Sequence, residues 1–305
     1  MPEGYVPGKI PVVLIHGLLS EPTTWDPLVE ALQENPRIAE HYQFWRYGYP
    51  TGLPYLTTAS RLRADLSAMV RRLDPAACDP NLQNVVLIGH SMGGLLSKLQ
   101  VTDSGNRLWN ALGAGPVADL KADPQQRADL ERAYFFQPLP FVRRVVYIAT
   151  PHGGSGWSRN WVGRFASGLV RFPKTMQTQY KQLVHANSDA LVGMVSEELP
   201  TSVDLLSPDN PILKATAGLP FAPWVATHSI IGERPRLLNF EPGDDVVSVT
   251  HARVDGVESE LVVPSTHIYI HEHRQTIEEI ERILLLHLAT SPGRVHVPAS
   301  VMATR

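Results

Sequence analysis

The chain has 305 residues, 43% of them hydrophobic and 19% charged, the balance of an ordinary globular protein. A formal net charge of −3, with no long run of like charge, gives no electrostatic basis for nucleic acid or an anionic membrane surface as the main partner. One cysteine, Cys78, leaves no intrachain disulfide to form, and no stretch approaches the roughly 20 apolar residues of an integral membrane segment.

In chain order, apolar runs at 10–17 (IPVVLIHG), 42–50, 84–89 (NVVLIG), 142–150 (VRRVVYIAT), 224–232 and 259–264 are the expected strands. Amphipathic stretches at 56–73, 91–102 and 274–289 are the expected helices between and after them. In the last, Ile277, Ile280, Ile283, Leu284 and Leu288 form one apolar stripe, with Glu278, Glu279, Glu281 and Arg282 outside it. Such alternation predicts an α/β class fold: a mostly parallel sheet covered by helices on both faces.

Residues 103–140 and 155–223 carry no strand of comparable strength, and they read as cap or lid insertions over a ligand crevice within one domain spanning 1–305. Residues 291–305 read as a loose tail. The opening MPEGYVPGK lacks a charged region followed by an apolar run, so the expected compartment is the cytoplasm, or export with a signal outside this sequence. In the second insertion Trp157, Trp161, Phe165, Leu169 and Phe172 recur near helical spacing, with Arg159, Arg164, Arg171 and Lys174 between them. Two readings fit, an ordinary helix packed on the core, which is the preferred one, and a lid that opens at a lipid–water interface.

The chemistry centres on Gly89-His90-Ser91-Met92-Gly93, at the junction of a predicted strand and helix. A strand that runs straight into a helix needs a very tight turn. Flanking glycines relieve the crowding, while the central serine is forced into an unfavourable backbone conformation that projects its hydroxyl from the sheet edge. A serine hydroxyl is a poor nucleophile at neutral pH, so a base and a group to orient it must come from later loops, in the order Ser, acid, His.

The acid candidates are Asp244 and Asp245 in GDDVVSV; Asp244 is preferred because it heads the apolar run. His267 is the preferred base, the first histidine past the last strand. His271 and His273, nearer the final helix, suit a cap or a solvated face, and they lack further ligands at metal-binding spacing, so no metal is expected. Backbone N–H groups of Leu18, in His16-Gly17-Leu18, and of Met92 are the candidate oxyanion donors. Candidate pocket residues are His16, Trp25, His90, Trp157 and Trp161. His152 reads as a loop brace.

VVLIHGLLS (12–20), IGHSMGG (88–94), YIATPHGGS (147–155), GDDVVSV (243–249) and His267 occur in an order that resembles the α/β-hydrolase superfamily, in particular bacterial lipases and esterases. ATPHGGS is similar to a segment of lipases, lipase-like acyltransferases and lipid deacylases. The chain departs from the family pattern in Asp245, where a glycine is usual, and in a cap whose sequence matches no known substrate type. The resemblance implies the α/β-hydrolase fold, no cofactor, and a serine carboxylester hydrolase acting through an acyl-enzyme on a small-molecule or lipid ester. Two alternatives stay open: an acyltransferase with the same triad, and a catalytically silent ligand-binding member of the fold.

Overall fold

Six apolar runs become six parallel strands: β1 (Ile10–Ile15), β2 (Tyr42–Tyr47), β3 (Val85–His90), β4 (Val142–Ile148), β5 (Ala226–Gly232) and β6 (Ser259–Val263). They form one sheet in the order β2-β1-β3-β4-β5-β6. The computed structural model describes residues 4–155, 174–189, 191, 198–234 and 241–290. Trp157, Trp161 and the 291–305 tail lie outside the described residues.

Continuous apolar strands are buried on both faces, because successive side chains alternate sides. Val13, Ile15, Val85, Leu87, Val145 and Tyr147 join one core cluster, with helix α2 (Tyr55–Leu73) and helix α3 (Met92–Lys98). Their sequence neighbours Val12, Leu14, Val86, Ile88, Val146 and Ile148 join the opposite cluster, with helix α1 (Asp26–Gln33) and helix α4 (Arg274–Thr290). Each such side chain taken fully out of water contributes roughly 1.5–3 kcal/mol. A charge placed anywhere along β3 would therefore be buried without a partner.

The α4 stripe behaves as its spacing predicts: Ile280, Ile283, Leu284 and Leu288 are buried, while Arg274–Glu278 and Arg282–Glu279 pair outside it. Between β3 and β4 the described chain is helical at Arg107–Ala111 and Pro124–Tyr134, the second started by a capping box of Asp123 and Gln126. Between β4 and β5 it is helical at Lys174–Ala186, Ser202–Leu205 and Pro211–Ala217. No strand occurs among the described residues of 103–140 and 155–223.

Near the amino ends of the strands, the buried Arg144 guanidinium of β4 reaches helix α4 on one side and the adjacent strand β5 on the other. It donates from Nε to His287 Nδ1 (3.2 Å) and from a terminal nitrogen to His228 Nε2, so both rings are acceptors there. Burial, reinforced by the Arg144 charge, pushes the His228 ring down to about 4. Among the described residues no helix is long and apolar enough to cross a membrane.

Candidate active site

Strand addition reverses direction at β1: β2 lies on one side of it and β3 on the other. In an open parallel sheet such a switch leaves a crevice outside the carboxyl ends of the two strands. His16 to Leu18 follow β1 there and Ser91 follows β3.

Ser91 has φ 54° and ψ −124°, a conformation that costs an L-residue on the order of 1–3 kcal/mol. The surroundings hold it there. Its amide donates to the Ile148 carbonyl of β4 (2.8 Å), and α3 begins at the next residue. Gly93 is obligatory for this turn, since a Cβ there would run into the Ile15 and His16 carbonyls at the end of β1. The tight strand-to-helix junction expected from the glycine bracket is therefore present, with the serine hydroxyl at the sheet edge.

Two residues far apart in sequence complete a chain of hydrogen bonds. Ser91 Oγ is 2.9 Å from His267 Nε2, and His267 Nδ1 is 2.7 Å from Asp244 Oδ2. Asp244 is almost fully buried, and its other oxygen, Oδ1, accepts from the amides of Val246 (2.9 Å) and Val247 (2.7 Å). With the carboxylate held as an acceptor, the bonded His267 Nδ1 carries the proton and Nε2 is left to accept from the serine hydroxyl. Asp245 points elsewhere: it pairs with Arg234 at 3.2 Å, and its φ of 82° explains why glycine is usual at this position.

The cleft beside Ser91 has a volume of about 210 Å³. Leu18, Leu19, Val203, Leu206, Val246 and Ile268 supply most of its apolar wall; besides Ser91 and His267, its polar lining among the described residues comes from Ser20, Thr24, Ser155, His90 and His271, with no Asp, Glu, Lys or Arg among them. Leu19 and Ile268 are also exposed at its rim. Among the described residues no acceptor is bonded to the amide of Leu18 or of Met92.

Three expectations need correction. Trp25 is fully buried in the core between sheet and α4, where the short 3₁₀ turn Pro22–Trp25 directs it inward, and does not line the cleft. His16 stacks on Tyr49 at 4.4 Å and also lies outside the lining. His271 is not a solvated cap: it is buried, borders the cleft and contacts Thr24 through Nε2 at 3.0 Å. His273 does cap, accepting the Gln275 amide through Nδ1. His152 is buried against the edge of Tyr147. Thr24 stands in no recognisable pattern, and Ser155 closes the ATPHGGS segment, whose spacing alone does not show that this serine borders the cleft.

Burial lowers the His16 and His271 rings, and burial together with the neighbouring His267 and His271 takes His90 well below the usual histidine value. Among the described residues no group of three or more His, Cys, Asp or Glu is arranged to hold a metal ion.

A model of the alpha/beta hydrolase family matches residues 12–280, from within β1 to within α4. The chain belongs to the alpha/beta hydrolase family. This hydrolase shares its fold with the mature form of the Bacillus licheniformis lipase BlEst2, at 17% identity over 92% of this chain and 94% of that one, with a TM-score of 0.53. It is also similar to a hydrolase from Pseudomonas aeruginosa PA01, at 18% identity over 92% and 90% of the two chains, with a TM-score of 0.46. No curated protein matches the sequence. The fold expected from the motifs is the fold found.

Proposed function

We propose that this hydrolase cleaves neutral carboxylic esters through an acyl-enzyme on Ser91, with His267 as base and Asp244 as the acid that orients it. The observation that carries the reading is the buried hydrogen-bond chain from Ser91 Oγ to His267 to Asp244, at 2.9 and 2.7 Å.

In the forward step the Ser91 oxygen attacks the ester carbonyl carbon while its proton passes to His267 Nε2. Negative charge develops on the former carbonyl oxygen, and the Leu18 and Met92 amides are the donors offered to it; one such donor is worth roughly 2.7–4 kcal/mol of barrier. Collapse of the intermediate expels the alcohol, which takes the proton from Nε2. Water then attacks the acyl-enzyme by the same route, and Ser91 is regenerated. Asp244 keeps the imidazole in the tautomer that accepts at Nε2 and stabilises the imidazolium that forms.

The absence of charged side chains from the described lining of the cleft favours an uncharged substrate, and the apolar wall favours an aliphatic or aromatic acyl group. Exposed Leu19 and Ile268 at the rim support approach of an apolar ester, including one presented at a lipid–water interface.

A fluorophosphonate probe should add one mass equivalent to the protein at Ser91, and Ser91→Ala should lower kcat on short p-nitrophenyl esters by a factor on the order of 10⁶ while the fold persists. Hydrolysis by Ser91→Ala at the parental rate would overturn the proposal.

A further inference from the structure

We propose that His90, the residue before the nucleophile, is a positioning residue that sets the reach of His267 towards Ser91. The inference rests on the reading of Ser91 and His267 given above.

The main chain of His267 is held at both of its polar groups. Its N–H donates to the Asp244 carbonyl at 2.8 Å, and its carbonyl accepts from His90 Nε2 at 2.8 Å. A carbonyl oxygen only accepts, so the proton of the His90 ring resides on Nε2 and is committed to this bond. That removes His90 from any proton relay. It also ties the loop carrying the base directly to the end of β3, one residue from the hydroxyl that the base must reach.

The rest of the ring is enclosed. The His267 and His271 rings stand with centroids 5.0 Å from it, tilted by 43° and 42°. On another side lies the backbone after β1: a Cβ built on Gly17 would sit 3.2 Å from His90 Nδ1 and 2.9 Å from Ser91 Cβ. Nδ1 is buried with no partner among the described residues, so a second ring proton would have no acceptor. The charged and titratable groups facing the ring are His267 and His271 from the loop before α4 and His16 from the loop after β1; each would repel a charge on it. Neutral His90 therefore touches the loop bearing the Leu18 amide and the loop bearing the base, and holds the two at fixed separation.

If the ring merely filled space, an apolar side chain of similar size would serve as well. If the hydrogen bond matters, the base loop is released when the donor goes, and a misplacement of about 1 Å costs on the order of 10²-fold in rate.

The test compares the parent, His90→Leu and His90→Gln, whose amide N–H reaches about as far as imidazole Nε2. Read-outs are kcat and KM on p-nitrophenyl butyrate, the rate constant for fluorophosphonate labelling, and Tm. His90→Leu should lose on the order of 10²-fold in kcat and in labelling rate, with KM within about threefold of the parent, and His90→Gln should recover most of the loss. Should His90→Leu fail to fold, His90→Met replaces it as the donor-free variant. A donor-free variant within about twofold of the parent, or equal losses in the Gln and donor-free proteins, would overturn the inference. Failure of the parent to label would instead sink the serine reading, whereas labelling of all variants at the parental rate would sink only the role of His90.

Discussion

His267 is attached to Asp244 twice, through the ring at Nδ1 (2.7 Å) and through its backbone N–H to the Asp244 carbonyl (2.8 Å). The second attachment does not depend on the carboxylate, and Oδ1 would still accept from the Val246 and Val247 amides after amidation. Asp244→Asn should consequently retain the loop geometry yet lose the tautomer that accepts at His267 Nε2, and kcat should fall by a factor on the order of 10⁴. Asp245→Asn, which alters the pair with Arg234 and leaves the Asp244–His267 bonds in place, should leave kcat within a few-fold of the parent. Steady-state kinetics on one soluble ester decides between them; the opposite ranking would move the acid to Asp245.

Asp245 carries its own prediction. At φ 82° an L-residue is strained, and glycine relieves that strain, while the exposed pair with Arg234 is worth about 0–1 kcal/mol. Asp245→Gly should leave kcat near the parental value and hold or raise Tm. A fall in Tm of several degrees would show that the side chain contributes more than its backbone costs.

Acid stability should be set by buried histidines. Burial and the neighbouring Lys98 charge take His152 well below the ordinary 6.5, and burial and Arg144 push His228 to about 4. In the unfolded chain both titrate near 6.5, so below that pH the unfolded state binds more protons. The stability contributed by the neutral rings is complete above about pH 6.5 and is lost as pH falls from there towards about 4. Thermal unfolding followed from about pH 7.5 down to about pH 4.5 should show Tm falling below about pH 6.5, and His152→Phe should make the fall shallower. His152→Phe also removes two ring nitrogens that have no partner among the described residues. An unchanged Tm across that range would contradict the assignment.

Much of this architecture is readable in one sequence because its signals are local. Strands buried on both faces must be apolar throughout, so the runs around Val13, Leu87 and Val146 announce themselves, and the end of β3 is marked by the glycines around Ser91. The acid was harder to place, since Asp244 and Asp245 are adjacent and only the turn decides which carboxylate faces His267. Trp25 and His271 depart from their expected places for a common reason. Closeness in sequence to the loop after β1, or to the start of α4, says nothing about the 3₁₀ turn that sends Trp25 into the core, nor about Thr24, 247 residues away in the chain, which receives His271.

The backbone at Ser91 has one more consequence. Glycine adopts φ 54°, ψ −124° without the penalty a serine bears, so the fold as it stands is not the most stable version of itself. Ser91→Gly should unfold at a higher temperature than Ser91→Ala, because alanine keeps the strain and glycine releases it. A directed-evolution campaign that selected for heat resistance alone would be drawn to this position and, with Ser91 as the proposed nucleophile, would return a sturdier, inert protein. Thermostability screens on this scaffold therefore need a turnover step in every round.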